Sequence, residues 1–370
     1  MYRVYDCKEH NYTNDRTQAI PTIKKLSPQK QIHIAIGEYR VGSPQSWSEE
    51  HSFKTMRTDA NWVPKVVIFG DMGWIKGYSI PNLQKMAEKY AMDLVIHIGD
   101  IAYELYTFKG TLGDGFLKAI EPIATRVPYM VIPGNHEYYC YRDQDLGYNY
   151  KRRFKMPQNT DNEYYTMKVG KALFVAFSTE YYFRIENGSN EKVLKQKLWL
   201  ERVLTEANLP HNRAKQPWII GLGHRSLYCS TTDSSCINGM TIDTGDTKTK
   251  MIELEEILHR QGVDIAFWGH YHYYDRFYPV YNRTMQNSSN PYVNPFSTVH
   301  ILSGAAGMDG DPTPERFVDP PPLWSAFRTI EFGYSVMNVV NDSHPQKPID
   351  SIWIVQHNHQ TRTSDNKCSV

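Results

Sequence analysis

Apolar residues gather in short runs along the middle of the chain, and five of these runs end in the same way. VVIFGD closes on Asp71, LVIHIGD on Asp100, YMVIPGNH on Asn135 and His136, WIIGLGH on His224, and IAFWGHYH on His270 and His272. Each run has the length of a buried strand, and each meets a glycine just before a polar side chain that could coordinate metal. Residues 79–92, 115–125, 191–208 and 250–261 read as helices. In the third, Val193, Leu200, Leu204 and Ala207 fall on one helical face, as packing against a sheet requires. Strands alternating with helices predict a layered α/β fold, in which ligands gather beyond the carboxyl ends of the strands, where all the polar residues just named sit.

Residues 171–180 and 297–307 read as further strands that carry no ligand. Residues 282–295 and the proline-rich 309–322 read as exposed loops. Before residue 60, QIHIAIG and SWSEEHSFKT look like strands, too few to make a stable sheet of their own. They are expected to be either a remnant or an appendage on the larger unit.

Composition narrows the function classes. The chain has 370 residues with 41 basic and 40 acidic side chains, interspersed, so it lacks the electrostatic footprint of a nucleic-acid or anionic-membrane binder. No apolar run is long enough to span a bilayer, and the opening MYRVYDCKEH lacks the apolar stretch of a secretory signal. Sequons at Asn11, Asn187, Asn282, Asn287 and Asn341 nevertheless lead to the expectation of an exported glycoprotein. The five cysteines form no zinc-ribbon spacing. In CSTTDSSC, Cys229 and Cys236 could close a short loop in an oxidising compartment.

Taken alone, Asp71 or Asp100 is more readily a helix cap, Tyr103 a packing aromatic and His97 a structural histidine. The five endings together reverse this for the aspartates, and only its offset from Asp100 lifts Tyr103 to a ligand. Two hard cations held close together need oxygen ligands, imidazoles and a shared carboxylate, with room for water and substrate, and the strand ends supply that set.

The series GDMG, GDIAY, GNHE, GH and GHYH resembles the metal motifs of the calcineurin-like metallophosphoesterases, and with Tyr103 after the second aspartate it resembles the purple acid phosphatases of the long animal and plant type. The resemblance implies a two-sheet α/β sandwich over residues 61–370. It makes residues 1–60 a partial fibronectin- or Ig-like β segment, since the family usually opens with a full β-sandwich. It further implies hydrolysis of phosphate monoesters at an Fe(III)–M(II) pair, M being iron, zinc or manganese, with a metal-activated hydroxide as nucleophile. Asp71, Asp100, Tyr103 and His272 would hold the ferric ion. Asp100 would also reach the divalent ion, together with Asn135, His224 and His270, and His136 would contact substrate and protonate the leaving group.

An anionic phenolate, unusual because tyrosine ordinarily keeps its proton to a pKa of about 10, would temper the charge of the pair and leave a modest excess to attract phosphate. Two alternatives remain at this level: another metallophosphoesterase, such as a phosphodiesterase or nucleotidase, and a non-catalytic binding variant whose frame lacks strands. The chain also departs from the family pattern. Arg225 and Tyr228 stand where many plant members carry a histidine pair, and Asp275 stands where glutamate is usual. Glu137 and Arg276 stand beside the ligand motifs and are expected either to orient His136 or His270 or to form an ordinary surface ion pair.

Overall fold

Thirteen strands carry the architecture, and their ladders form two sheets. The first contains β1 (Lys65–Phe69), β2 (Leu94–Ile98), β3 (Tyr129–Ile132), β11 (Ser335–Val340), β12 (Ser351–Gln356) and β13 (Cys368–Ser369), in the order β13-β12-β11-β1-β2-β3. The second contains β4 (Tyr165–Val169), β5 (Ala172–Ala176), β6 (Trp218–Arg225), β7 (Ile265–Gly269), β8 (Tyr274–Phe277), β9 (Val299–Ser303) and β10 (Ser325–Thr329), in the order β10-β8-β9-β7-β6-β5-β4. The computed structural model describes residues 36–43, 45–59, 61–138, 147–183, 189–233, 235–237, 240–241, 246–285, 288–307, 316–340, 351–356 and 368–369.

Strands β1, β2 and β3 run parallel to one another, as do β5, β6, β7 and β9, so the ligand-bearing endings of each sheet point the same way. Period-two alternation then sorts their side chains. Ile220 and Leu222 of β6 and Ile265 and Phe267 of β7 join the core between the sheets, with Val66, Ile68 and Ile96. Their neighbours Ile219, Ala266 and Trp268 face the other way, into a second core under two helices, α3 (Ser189–Ala207) and α4 (Asp246–Arg260). Val193, Leu200, Leu204 and Ala207 of α3 are all buried there, as the helical pattern predicted. A fully buried leucine such as Leu204 contributes about 1.5–3 kcal/mol relative to an exposed one. On the first sheet, α1 (Ile80–Glu88) and α2 (Thr111–Ala124) bury Leu83, Ala87, Phe116, Ile120 and Ile123 in the larger core.

Several element boundaries differ from the sequence reading, two of them with a visible cause. Helix α2 starts at Thr111 rather than at 115, because Gly115 is a packing position inside it: a Cβ there would lie 2.4 Å from the Trp74 ring. Strand β5 stops at Ala176, since a short helical turn, Glu180–Phe183, begins within the segment predicted to be strand to 180. Near the start, Ile36–Tyr39 pairs with His51–Lys54, and this ladder is tied to the larger unit by the Lys54–Asp93 ion pair at 3.0 Å and the Tyr39 hydroxyl donating to the Thr125 carbonyl at 3.1 Å. The rest of QIHIAIG, the sequons at Asn11, Asn187, Asn287 and Asn341, and the first half of the predicted loop 309–322 lie outside the described residues. No helix among the described residues is long and apolar enough to cross a membrane.

Candidate metal centre

The strand endings of both sheets converge on one place. Asp71, Asp100 and Asn135 follow β1, β2 and β3 of the first sheet, His224 lies near the end of β6, and His270 and His272 follow β7 of the second. Sharp backbone turns aim the side chains. Asp71, Asp100, Tyr103 and His270 all adopt left-handed backbone, with φ of 61°, 51°, 45° and 75°. Aspartate and histidine are enriched in this region; tyrosine enters it only where the surroundings enforce it, as they commonly do at functional sites. Gly99, at φ +90°, has no room for a side chain: a Cβ there would stand 2.4 Å from His224 Nδ1.

Two clusters result. In one, the Tyr103 hydroxyl lies 3.1 Å from Asp71 Oδ1 and 2.8 Å from His272 Nε2, and the last two atoms are 3.6 Å apart. In the other, His224 Nε2 lies 3.2 Å from Asn135 Oδ1 and 3.3 Å from Asp100 Oδ1, and one ligand atom each from Asp100, His224 and His270 fit within 4.8 Å of one another. His224 donates its Nδ1 proton to the Ile98 carbonyl at 2.9 Å, which turns Nε2 toward the cluster. The clusters are stitched together by the His270 backbone N–H donating to Asp71 Oδ2 at 2.8 Å and by the Asp71 N–H donating to the Gly99 carbonyl at 3.1 Å.

The electrostatics fit a cation site. Burial alone would raise the Asp100 carboxyl, but His224, His136 and His270 hold it well below the usual range. Burial likewise opposes a charge on His224, yet Asp100 and Asp71 push that imidazole up to about 10 in the metal-free chain. Burial, with the charges of Asp71 and Asp100, raises Tyr103 well above an ordinary phenol. Carboxylate, imidazole, amide and phenol groups therefore crowd one largely buried space, and His270 Nδ1 has no hydrogen-bond partner among the described residues. The donor set suits hard or borderline metals, and all seven residues singled out from the sequence are present in it.

His136 stands beside the clusters, its Nε2 3.8 Å from Asp100 Oδ2 and its ring centroid 4.5 Å from that of Tyr103. Its orienting partner is not Glu137 but Glu104, whose Oε1 lies 3.0 Å from His136 Nδ1. Glu137 does a different job. Its buried carboxylate accepts the N–H groups of Asp100 at 2.8 Å, Ile101 at 2.9 Å and Gly134 at 2.8 Å, pinning the turns after β2 and β3 to each other. Burial and the nearby Asp100 charge raise it to about 8, against the pull of two of those N–H groups, Ile101 and Gly134.

Arg276 sits on β8 with its guanidinium 5.5 Å from the Tyr292 ring. The guanidinium that reaches His270 is that of Arg225, at 3.0 Å. Tyr228 points away, its hydroxyl donating to Glu255 in the second core. Asp275 accepts from Ser230 and, at 2.9 Å, from Ser325 Oγ, and burial raises it to about 7. His97 donates or accepts through Nδ1 with the Tyr129 hydroxyl at 3.0 Å, a structural role inside β2. Cys229 and Cys236 are disulfide-bonded, with their Cα atoms 5.8 Å apart.

Comparison with known proteins agrees with this geometry. Residues 64–274 match the calcineurin-like phosphoesterase family, and residues 297–346 match the iron/zinc purple acid phosphatase-like protein C family. Acid phosphatase type 7 of Mus musculus is 38% identical over 349 residues, covering 90% of this chain and 76% of that protein. Its Homo sapiens counterpart is 37% identical over 348 residues with the same coverage. A purple acid phosphatase isolated from yellow lupin (Lupinus luteus) seeds shares the fold, with a TM-score of 0.69 at 24% identity over 91% of this chain and 59% of that one. With a phosphoesterase match across the strand endings and a match to the C-terminal module beyond them, the chain belongs to the purple acid phosphatases, hydrolases of the calcineurin-like phosphoesterase fold.

Proposed function

We propose that the chain hydrolyses phosphate monoesters at a pair of metals, one ferric and one divalent. Asp71, Tyr103 and His272 would hold the first, Asn135, His224 and His270 the second, and Asp100 both. The observation that carries this reading is the convergence of these seven donors around the buried Asp100. When bound, the metals supply Lewis acidity that makes a water nucleophilic and positive charge that offsets the phosphate oxygens.

The remaining work falls to side chains. His136 holds a proton toward the cleft on Nε2, because Glu104 takes the one on Nδ1. Burial alone would lower this imidazole, but Asp100 and Glu104 raise it above the ordinary histidine value. It is therefore charged through the acid range and can protonate the departing alkoxide. Metal analysis of purified protein paired with hydrolysis of an aryl phosphate from pH 4 to 8 tests the reading. Two metals per chain and a maximum below neutrality are expected; a metal-loaded protein that cleaves only diesters would refute it.

Glu104→Gln removes one of the three carboxylate charges, with Asp100 and Glu137, that raise His136. The imidazolium then loses its proton at lower pH, so the alkaline limb of the kcat profile should move toward acid, with a fall in kcat of about tenfold at its old midpoint. An unmoved limb would show that His136 is not the acid.

A further inference from the structure

Arg225 follows His224 directly, and its guanidinium is held from behind. Nε lies 3.0 and 3.2 Å from the two carboxylate oxygens of the buried Glu180, and the group sits 4.5 Å over the Phe183 ring. The Arg225 backbone N–H donates to Thr179 Oγ1 at 2.9 Å, which fixes the base of the side chain. So anchored, Nη1 reaches 3.0 Å from His270 Nε2, and Nη2 has no hydrogen-bond partner among the described residues.

That contact has only one proton arrangement. A guanidinium can only donate, so Nε2 of His270 must offer a lone pair, and a neutral imidazole then carries its proton on Nδ1. Neither way of binding metal through His270 permits this. If Nδ1 gives its lone pair to a metal, the imidazole proton moves to Nε2 and faces another donor. If Nε2 binds the metal, the lone pair that Arg225 uses is gone. Metal on His270 and the Arg225–His270 hydrogen bond are mutually exclusive.

We propose that Arg225 is a two-position residue: it competes with metal for His270 in the metal-free chain, and once displaced it becomes the group that binds the substrate's phosphate oxygens. The inference rests on reading the site as a two-metal phosphatase centre. Glu180 keeps the displaced guanidinium at the edge of the cleft through Nε, so Nη1 and Nη2 together present the planar fork that matches two oxygens of a phosphate. This also resolves the departure at this position: of the two residues that stand in place of the histidine pair, Arg225 faces the cleft and Tyr228 does not.

The test uses purified full chain and the variants Arg225→Met and Arg225→Lys, stripped of metal and then reloaded. Zinc affinity of the stripped protein is read by chelator competition, and inorganic phosphate affinity of the reloaded protein by calorimetry. Removing a charge-assisted competitor should tighten zinc binding about tenfold in Arg225→Met, while phosphate affinity of the loaded protein falls by about 10- to 100-fold. Arg225→Lys preserves a cation for Glu180, so it remains foldable if the methionine variant is not. It should show the same two directions, since an ammonium cannot hold Glu180 and phosphate together.

A variant that folds and matches wild type in either measurement overturns the two-position role. Failure of the wild-type protein to take up two metals, or of its loaded form to bind phosphate, would instead overturn the two-metal reading on which the inference stands.

Discussion

Asp100→Asn is expected to reduce aryl phosphate turnover by at least about 10³-fold while leaving the fold intact. Asparagine tolerates the left-handed backbone that Asp100 adopts at φ 51°, and its Oδ1 can still accept the His136 N–H now bound at 2.9 Å. The change is therefore almost purely one of charge. That charge offsets the burial of His224 and His136, and among the described residues it is the only carboxylate grouped with the donors of the second cluster. An amide there offers a weaker oxygen to one cation and nothing to a second, so the metal content should fall below two per chain. Metal analysis, kcat for an aryl phosphate and a thermal melt on one preparation check all three points. A variant that keeps both metals and turnover within tenfold of wild type would show that Asp100 is not shared.

Tyr103→Phe should act on the metal's identity more than on the frame. The ring packs 4.5 Å from that of His136 and 5.9 Å from that of His272, contacts a phenylalanine can keep. What goes is the hydroxyl. In the metal-free chain, burial and the charges of Asp71 and Asp100 hold its proton far above the usual phenol value. A trivalent ion must expel that proton to bind the oxygen, so metal uptake in the wild type releases it to solvent. The sign follows: raising the pH favours ferric uptake by the wild type, and this dependence should weaken in the variant by about one proton per iron. The visible phenolate-to-iron absorption should disappear, with iron affinity falling by about 10- to 100-fold. Calorimetry in buffers of different ionisation enthalpy counts the proton, and a visible band that survives the substitution would remove Tyr103 from the ligand set.

The sequence was most legible where a local signal coincided with the chemistry. An apolar run, a glycine and a polar residue are contiguous, so the endings at Asp71, Asp100, Asn135, His224 and His270 could be read without knowing which strands pair. The helical face of α3 was legible for the same reason. The second rank of the site was not. Arg225 meets Glu180 across 45 positions and Glu137 meets Asp100 across 37, contacts set by how two sheets and their loops dock. Glu104 lay in plain view beside Tyr103, but a glutamate at a strand end has no signature that separates an orienting role from a solvated one. Glu137, next to His136, turns instead toward three backbone amides, which adjacency in the chain does not reveal.

The division of the donors between sheets carries one further consequence. Asp71, Asp100 and Asn135 belong to one layer of the sandwich and His224, His270 and His272 to the other. A cation that engages both sets works as a clasp across the interlayer seam, at the rim where the hydrophobic filling gives way to solvent. By linkage, the binding energy of such a cation would become resistance of the two layers to parting, so that catalytic competence and mechanical integrity would share one fastener.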